Sequence, residues 1–246
     1  MYFQNAWIIL ASDMICTSIQ HKTYEEILDI LPQLEMAEIR LDLCQLSDNE
    51  IEELFAQTDI PLIATCRING LASSLDQRTI KERSDRRGTA EAVRGNPFPR
   101  PLGAQGDNSS SDSVAAESER KLTIAVQAGA RFADLEIEAP SDFSRRFQKL
   151  CRECGTELIR SYHDYVGTPD DRGLQMALAR CFRYGADIAK IVTACHNEDD
   201  ARRVSGLYSV VLEDVDSLQG RLIAFGMGDA GRETRIGCLR RGAPFT

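Results

Sequence analysis

In AEIRLDL, residues 37–43, charge alternates with hydrocarbon: Glu38, Arg40 and Asp42 share one face of an extended chain, Ile39 and Leu41 the other. An antiparallel strand with one wetted face shows the same alternation, so the surrounding chain has to settle the choice. MICTSI (14–19), PLIATCR (61–67), FADLEIE (132–138), ELIRSYH (157–163), ADIAKIV (186–192) and RLIAFGM (221–227) also read as strands. Between them TYEEILDILPQL, SDNEIEELFAQ, ESERKLTIAVQAG, SDFSRRFQKLCREC, DDRGLQMALARCFRYG and NEDDARRVSGLYSVV carry apolar residues at helical spacing. Thr23, Ser47, Ser141 and Asn197 are suited to cap helix starts. Alternating strands and helices predict a parallel sheet with crossover helices. No Gly-rich loop follows the first strand, as a dinucleotide fold would require, and 246 residues suit a (β/α)8 barrel. In a barrel the outward face packs on helices, so the charged face of residues 37–43 must point inward. Inward charges belong near the carboxyl ends of strands, where barrel active sites lie.

Composition narrows the partners. Net charge is −9, which disfavours nucleic acid and anionic membranes, and 43% apolar with 27% charged residues is ordinary for a globular protein. No apolar run approaches the roughly 20 residues that span a bilayer. The first residues, MYFQNAWIILASD (1–13), lack the basic region of a signal peptide and read as an extension or a hairpin strand. Cys151 and Cys154 form a lone C-x-x-C with no second pair and no histidine at zinc spacing, so reduced thiols are expected and no metal. Residues 68–116 break the rhythm with Pro97, Pro99, Pro101 and a Ser/Asp/Gly tract; residues 83–115 are expected to be a disordered insertion, with a helix beginning near Glu117.

Several chemically useful side chains fall at strand ends. Arg67 ends the third strand, His163 ends the fifth, and Lys190 lies within GADIAKIVTAC (185–195) on the face of Ile188 and Val192. Burial alone would push that amine's pKa down. A lone histidine is often structural, and a strand lysine can guard a sheet edge. Two arginines, an acid, a histidine and a lysine converging on one barrel mouth are harder to explain that way. Arginines suit a carboxylate, a desolvated amine attacks a carbonyl, and a neighbouring imidazole moves protons. Together they spell Schiff-base chemistry on a small oxo-acid.

ICTSI, AEIRLDL, TCR, DLEIE, SYHDYVGTP, ADIAKIVTACHNEDD and GMGDAGRETRI occur in this order over most of residues 14–246. In these motifs the chain resembles the type I 3-dehydroquinate dehydratases. The resemblance implies dehydration of 3-dehydroquinate to 3-dehydroshikimate in the shikimate pathway, with Lys190 as the imine-forming residue and His163 as the general acid–base. Ser18, Glu38, Arg40, Arg67 and Arg235 would bind the substrate. It also implies a cytoplasmic homodimer that needs no metal or organic cofactor. The family's eighth strand would begin where the sequence ends, at Thr246. The expected fold is therefore one domain over 1–246, a (β/α)8 TIM barrel lacking its eighth strand, with a long insertion after strand 3. Two other readings stay open: a truncated, catalytically impaired remnant that only binds, and another Schiff-base aldolase barrel.

Overall fold

A computed structural model describes residues 14–67, 108–213, 215 and 217–246, with the side chains of 108–112 excepted. The chain alternates β1 (Cys16–Ile19), α1 (Tyr24–Ile30), β2 (Met36–Arg40), α2 (Asp48–Gln57), β3 (Leu62–Thr65), α3 (Asn108–Gln127), β4 (Phe132–Glu136) and α4 (Ser141–Cys154). It continues with β5 (Glu157–Asp164), α5 (Asp171–Arg183), β6 (Ile188–Ala194), α6 (Glu198–Gly206), β7 (Leu222–Met227) and α7 (Arg232–Gly237). The seven strands form one sheet in chain order, and every neighbouring pair is parallel.

The sheet is curled. Strands four places apart in a flat sheet would lie about 19 Å apart, yet Glu38 on β2 comes within 3.4 Å of Lys190 on β6. Strand parity sorts the hydrocarbon into an inside and an outside. Met36, Ile63, Phe132, Ile159, Ile188, Ile223 and Phe225 form the inner cluster. Outward-facing Ile39, Ala64, Ala133 and Leu158 pack with α1 to α4, and Ala189, Ile191, Leu222 and Ala224 with α5 and α6. This is the seven-stranded barrel architecture that the sequence predicts.

Local chemistry fixes most helix starts. Thr23 and Ser47 form capping boxes with Glu26 and Glu50, and Asn197 accepts from the Asp200 amide. Two expectations need correction. Ser141 is not a cap but the first residue of α4; Pro140 precedes it and supplies no side-chain bond to the helix amides. The helix expected near Glu117 already begins at Asn108, so residues 108–115 of the segment expected to be disordered are helical. Its apolar side, with buried Leu122, Ala125 and Val126, lies wholly in the carboxyl-terminal part, which is why periodicity revealed only that part. Residues 83–107 and the amino-terminal 1–13 lie outside the described residues.

The final residues enter the seam beside β1. The Thr246 amide donates to the Met14 carbonyl at 3.2 Å, and the Cys16 amide donates to the Thr246 carbonyl at 2.7 Å. That is the hydrogen-bond pattern of a parallel neighbour. Phe245, 5% exposed, turns into the barrel and meets Phe132 edge-on at 5.2 Å. Phe245→Ala should therefore lower unfolding free energy by about 3 kcal/mol or more, measured by urea denaturation; a loss below about 1 kcal/mol would place the tail outside the core.

Candidate active site

Above the apolar floor, the next inward position on β2 to β6 is polar. Met36 gives way to Glu38, Ile63 to Thr65, Phe132 to Asp134, Ile159 to Ser161 and Ile188 to Lys190. One more inward step toward the carboxyl ends brings Arg40, Arg67, Glu136 and His163. Parallel registry therefore stacks a charged tier on a hydrocarbon one.

Asp134 is the centre of the tier. Its side chain has no exposed surface, and Arg67 binds it through two bonds of 3.1 Å. Ser161 donates to it at 2.5 Å, and the Lys190 ammonium lies 2.9 Å away. Lys190 also reaches Glu38 at 3.4 Å, and Thr65 donates to the same Glu38 oxygen at 2.8 Å. Arg67 further bonds Ser161 at 2.9 Å and lies 3.8 Å from Glu136. Every buried charge here faces an opposite one, the condition under which charge survives away from water.

These neighbours reverse what burial alone would do to Lys190. Desolvation pulls its pKa down, but Asp134 and Glu38 outweigh it and hold the amine above its usual range. The expectation of a depressed lysine pKa is thus corrected: the resting group is an ammonium. Burial likewise raises Asp134, and Arg67 and Lys190 overcome it, leaving the carboxyl well below the usual range. Lys190 and Arg67 hold Glu38 below its ordinary value against the same burial. His163 goes the other way. Burial, with Arg67 and Lys190 nearby, pushes it well below 6.5, so the imidazole is neutral. Its Nδ1 has no hydrogen-bond partner among the described residues, and its ring stacks on Tyr165 at 5.8 Å.

The structure joins Lys190, Glu38 and Arg67 in one network and places His163 beside it. Arg40 borders the site, its guanidinium held by Asp42 through bonds of 3.0 and 2.6 Å. Asp42 itself lies in the turn after β2. Ser18 is exposed on β1 in register with Glu38. Arg235, on α7, lies over the Phe225 ring at 5.0 Å. Sequence reasoning missed Asp134, Ser161, Thr65 and Glu136. The alternation in FADLEIE was the available signal, since Asp134 and Glu136 share the parity of Phe132.

The type I 3-dehydroquinase family model matches residues 15–246. A 3-dehydroquinate dehydratase of Syntrophobacter fumaroxidans is 33% identical over 127 residues, covering 52% of this chain and 51% of that protein. One from Desulfotalea psychrophila is 34% identical over 125 residues, covering 51% and 54%. The chain thus spans about half the length of the curated relatives it matches. The fold is similar to the crystal structure of 3-dehydroquinate dehydratase from Geobacillus kaustophilus, with TM-score 0.65, 20% identity, and coverage of 96% of this chain and 81% of that one.

The His163 shift has a measurable sign. An unfolded chain binds a proton at this histidine near pH 6.5, whereas the folded protein does not, so stability falls as pH drops below that value. Asp134 and Glu38 add a second loss only below their ordinary 3.8 and 4.5, when the unfolded chain protonates and the network still resists. Urea midpoints measured between about pH 7 and 5 should slope downward toward acid, and His163→Gln should flatten that limb. An unchanged slope in the variant would show that the imidazole is not held neutral.

Proposed function

The chain belongs to the type I 3-dehydroquinase family, and from that membership we propose that it dehydrates 3-dehydroquinate to 3-dehydroshikimate through a Schiff base on Lys190. The observation that carries the reading is one constellation: an amine 2.9 Å from Asp134 with a neutral, half-buried imidazole beside it.

The resting ammonium must lose a proton before it attacks the C3 ketone. Addition and loss of water then give an iminium, a cation at the place the ammonium held, so Asp134 and Glu38 that stabilised the first also stabilise the second. The iminium draws electrons from C2, and His163 as a neutral base removes the C2 proton. The enamine expels the C1 hydroxyl, which leaves as water with the proton His163 carries. Hydrolysis of the conjugated iminium returns the water lost in its formation and frees Lys190. The net change is loss of one water, with no redox step.

The arginines divide the binding. Arg67 is spent on Asp134 and Arg40 on Asp42. Arg235 has no carboxylate partner among the described residues, which suits it to the substrate carboxylate. Ser18, Glu38 and the remaining donors of Arg40 and Arg67 face the hydroxyls. All eight cysteines are free, in keeping with a cytoplasmic enzyme. Among the described residues no helix is long and apolar enough to cross a membrane. The homodimer rests on the family resemblance, and light scattering after size exclusion measures it.

Reduction with borohydride in the presence of 3-dehydroquinate should leave a stable adduct on the Lys190 peptide. His163→Ala should keep the adduct while turnover, followed as ultraviolet absorbance of the conjugated product, falls roughly 10²–10⁴-fold. An adduct on another lysine overturns the assignment. Binding without turnover in the parent chain would favour the binding-protein reading instead.

A further inference from the structure

Strand β5 places a third buried cation on the opposite face of the sheet from the site. Arg160 has 0% exposure, yet no carboxylate lies within ion-pair distance of it among the described residues. Its guanidinium donates to the Glu136 carbonyl at 2.9 Å and to Ser144 Oγ at 3.4 Å, and sits 5.8 Å from the centre of the Tyr184 ring. Its Nε has no partner. An isolated buried charge is costly, and a neutral carbonyl and a hydroxyl offset it only in part.

Ser144 and Tyr184, the two side chains against the guanidinium, also line a cavity of about 280 Å³ between α4 and the carboxyl end of α5. Ser141, Arg145, Gln148 and Arg183 complete its polar wall, and no acidic residue lines it. Arg145 is engaged at the surface by Asp142. Ser141 opens the fourteen-residue helix α4 without a side-chain cap, so its first amides are left without an intrahelical acceptor. Glu138 lies in the β4–α4 connection, where burial and the Glu136 charge outweigh the pull of Arg180 and Arg160 and push it up to about 7, so it offers Arg160 only a partial negative charge.

We propose that this cavity is a binding site for a small oxyanion, a phosphate or the phosphate end of a small metabolite, seated over Ser144 with Arg160 beneath it and Arg183 at its rim. An anion there supplies a close counter-charge to Arg160, on which Asp134 and Glu138 act only from beyond ion-pair distance. Uncapped helix amides and arginine are the groups that recognise phosphate. The cavity is larger than one phosphate needs, which leaves room for a short organic chain.

Thermal shift and calorimetric titrations with inorganic phosphate and with glycerol 3-phosphate, against chloride at equal ionic strength, test the proposal. A saturable rise in melting temperature is expected, and tighter binding of glycerol 3-phosphate would identify a phosphorylated metabolite over the free ion. Arg160→Met and the surface variant Arg183→Ala should each weaken binding roughly ten-fold or more. Arg235→Ala, at the barrel mouth, should not change it. No saturable binding, equal binding in both cavity variants, or loss only in Arg235→Ala would overturn the proposal.

Discussion

The carboxylate of Asp134, without exposed surface and bonded to both Arg67 and Lys190, is the interaction on which the interior depends. A barrel of this size can be filled with hydrocarbon to its mouth; here the filling stops at one tier and charge begins. Two cations from β3 and β6 tolerate one another only because an anion from β4 lies between them. Remove that anion and two buried positive charges face each other, a change in the range of about 3–5 kcal/mol for a broken buried pair. The hydrocarbon floor matters to the same balance: by keeping water away from below, it strengthens each bond in the tier and raises the cost of an unmade one.

This arrangement answers a tension in the proposed chemistry. A nucleophilic amine must be neutral, yet the network keeps Lys190 charged. The same two carboxylates stand where the iminium would form, so their effect on the ground state and on the cationic intermediate is alike. What they do not stabilise is the neutral amine between them. The proton must then be taken up by something that does not already hold one, and His163 is the group in the site kept neutral by its surroundings. Opposite pKa shifts on two neighbouring groups divide nucleophile from base.

How far the sequence carried this picture depends on range. Strand parity turned Glu38 inward, and position near strand ends brought Arg67, His163 and Lys190 to the same barrel mouth, because both signals are properties of neighbours in the chain. Asp134 went unnoticed because its importance lies in partners 67 and 56 residues away, which no local pattern encodes. The sign of the Lys190 shift failed for the same reason: burial is legible in an apolar run, but the carboxylates that overrule it arrive from β2 and β4. Asp42 was grouped with Glu38 and Arg40 on alternation alone, yet the strand ends at Arg40 and the acid reaches back from a turn. Ser141 looked like a cap by residue type, and the backbone began the helix one residue earlier.

Arg160 and Lys190 pose the same physical problem on two sides of one sheet and meet it differently. Lys190 points into the barrel, where strands converge and acids from β2 and β4 can reach it. Arg160 points outward from β5 into the layer between sheet and helices, where its neighbours are a carbonyl, a hydroxyl and a ring. A long apolar side chain would fill that space without the desolvation cost, so packing gives no reason for an arginine there. Lys190 holds its charge because the fold brings the anions to it. Arg160 holds its charge beside a cavity lined by two further arginines and, among the described residues, no acid, with Asp134 and Glu138 acting on it only from beyond ion-pair distance; the close anion is what the proposed ligand supplies.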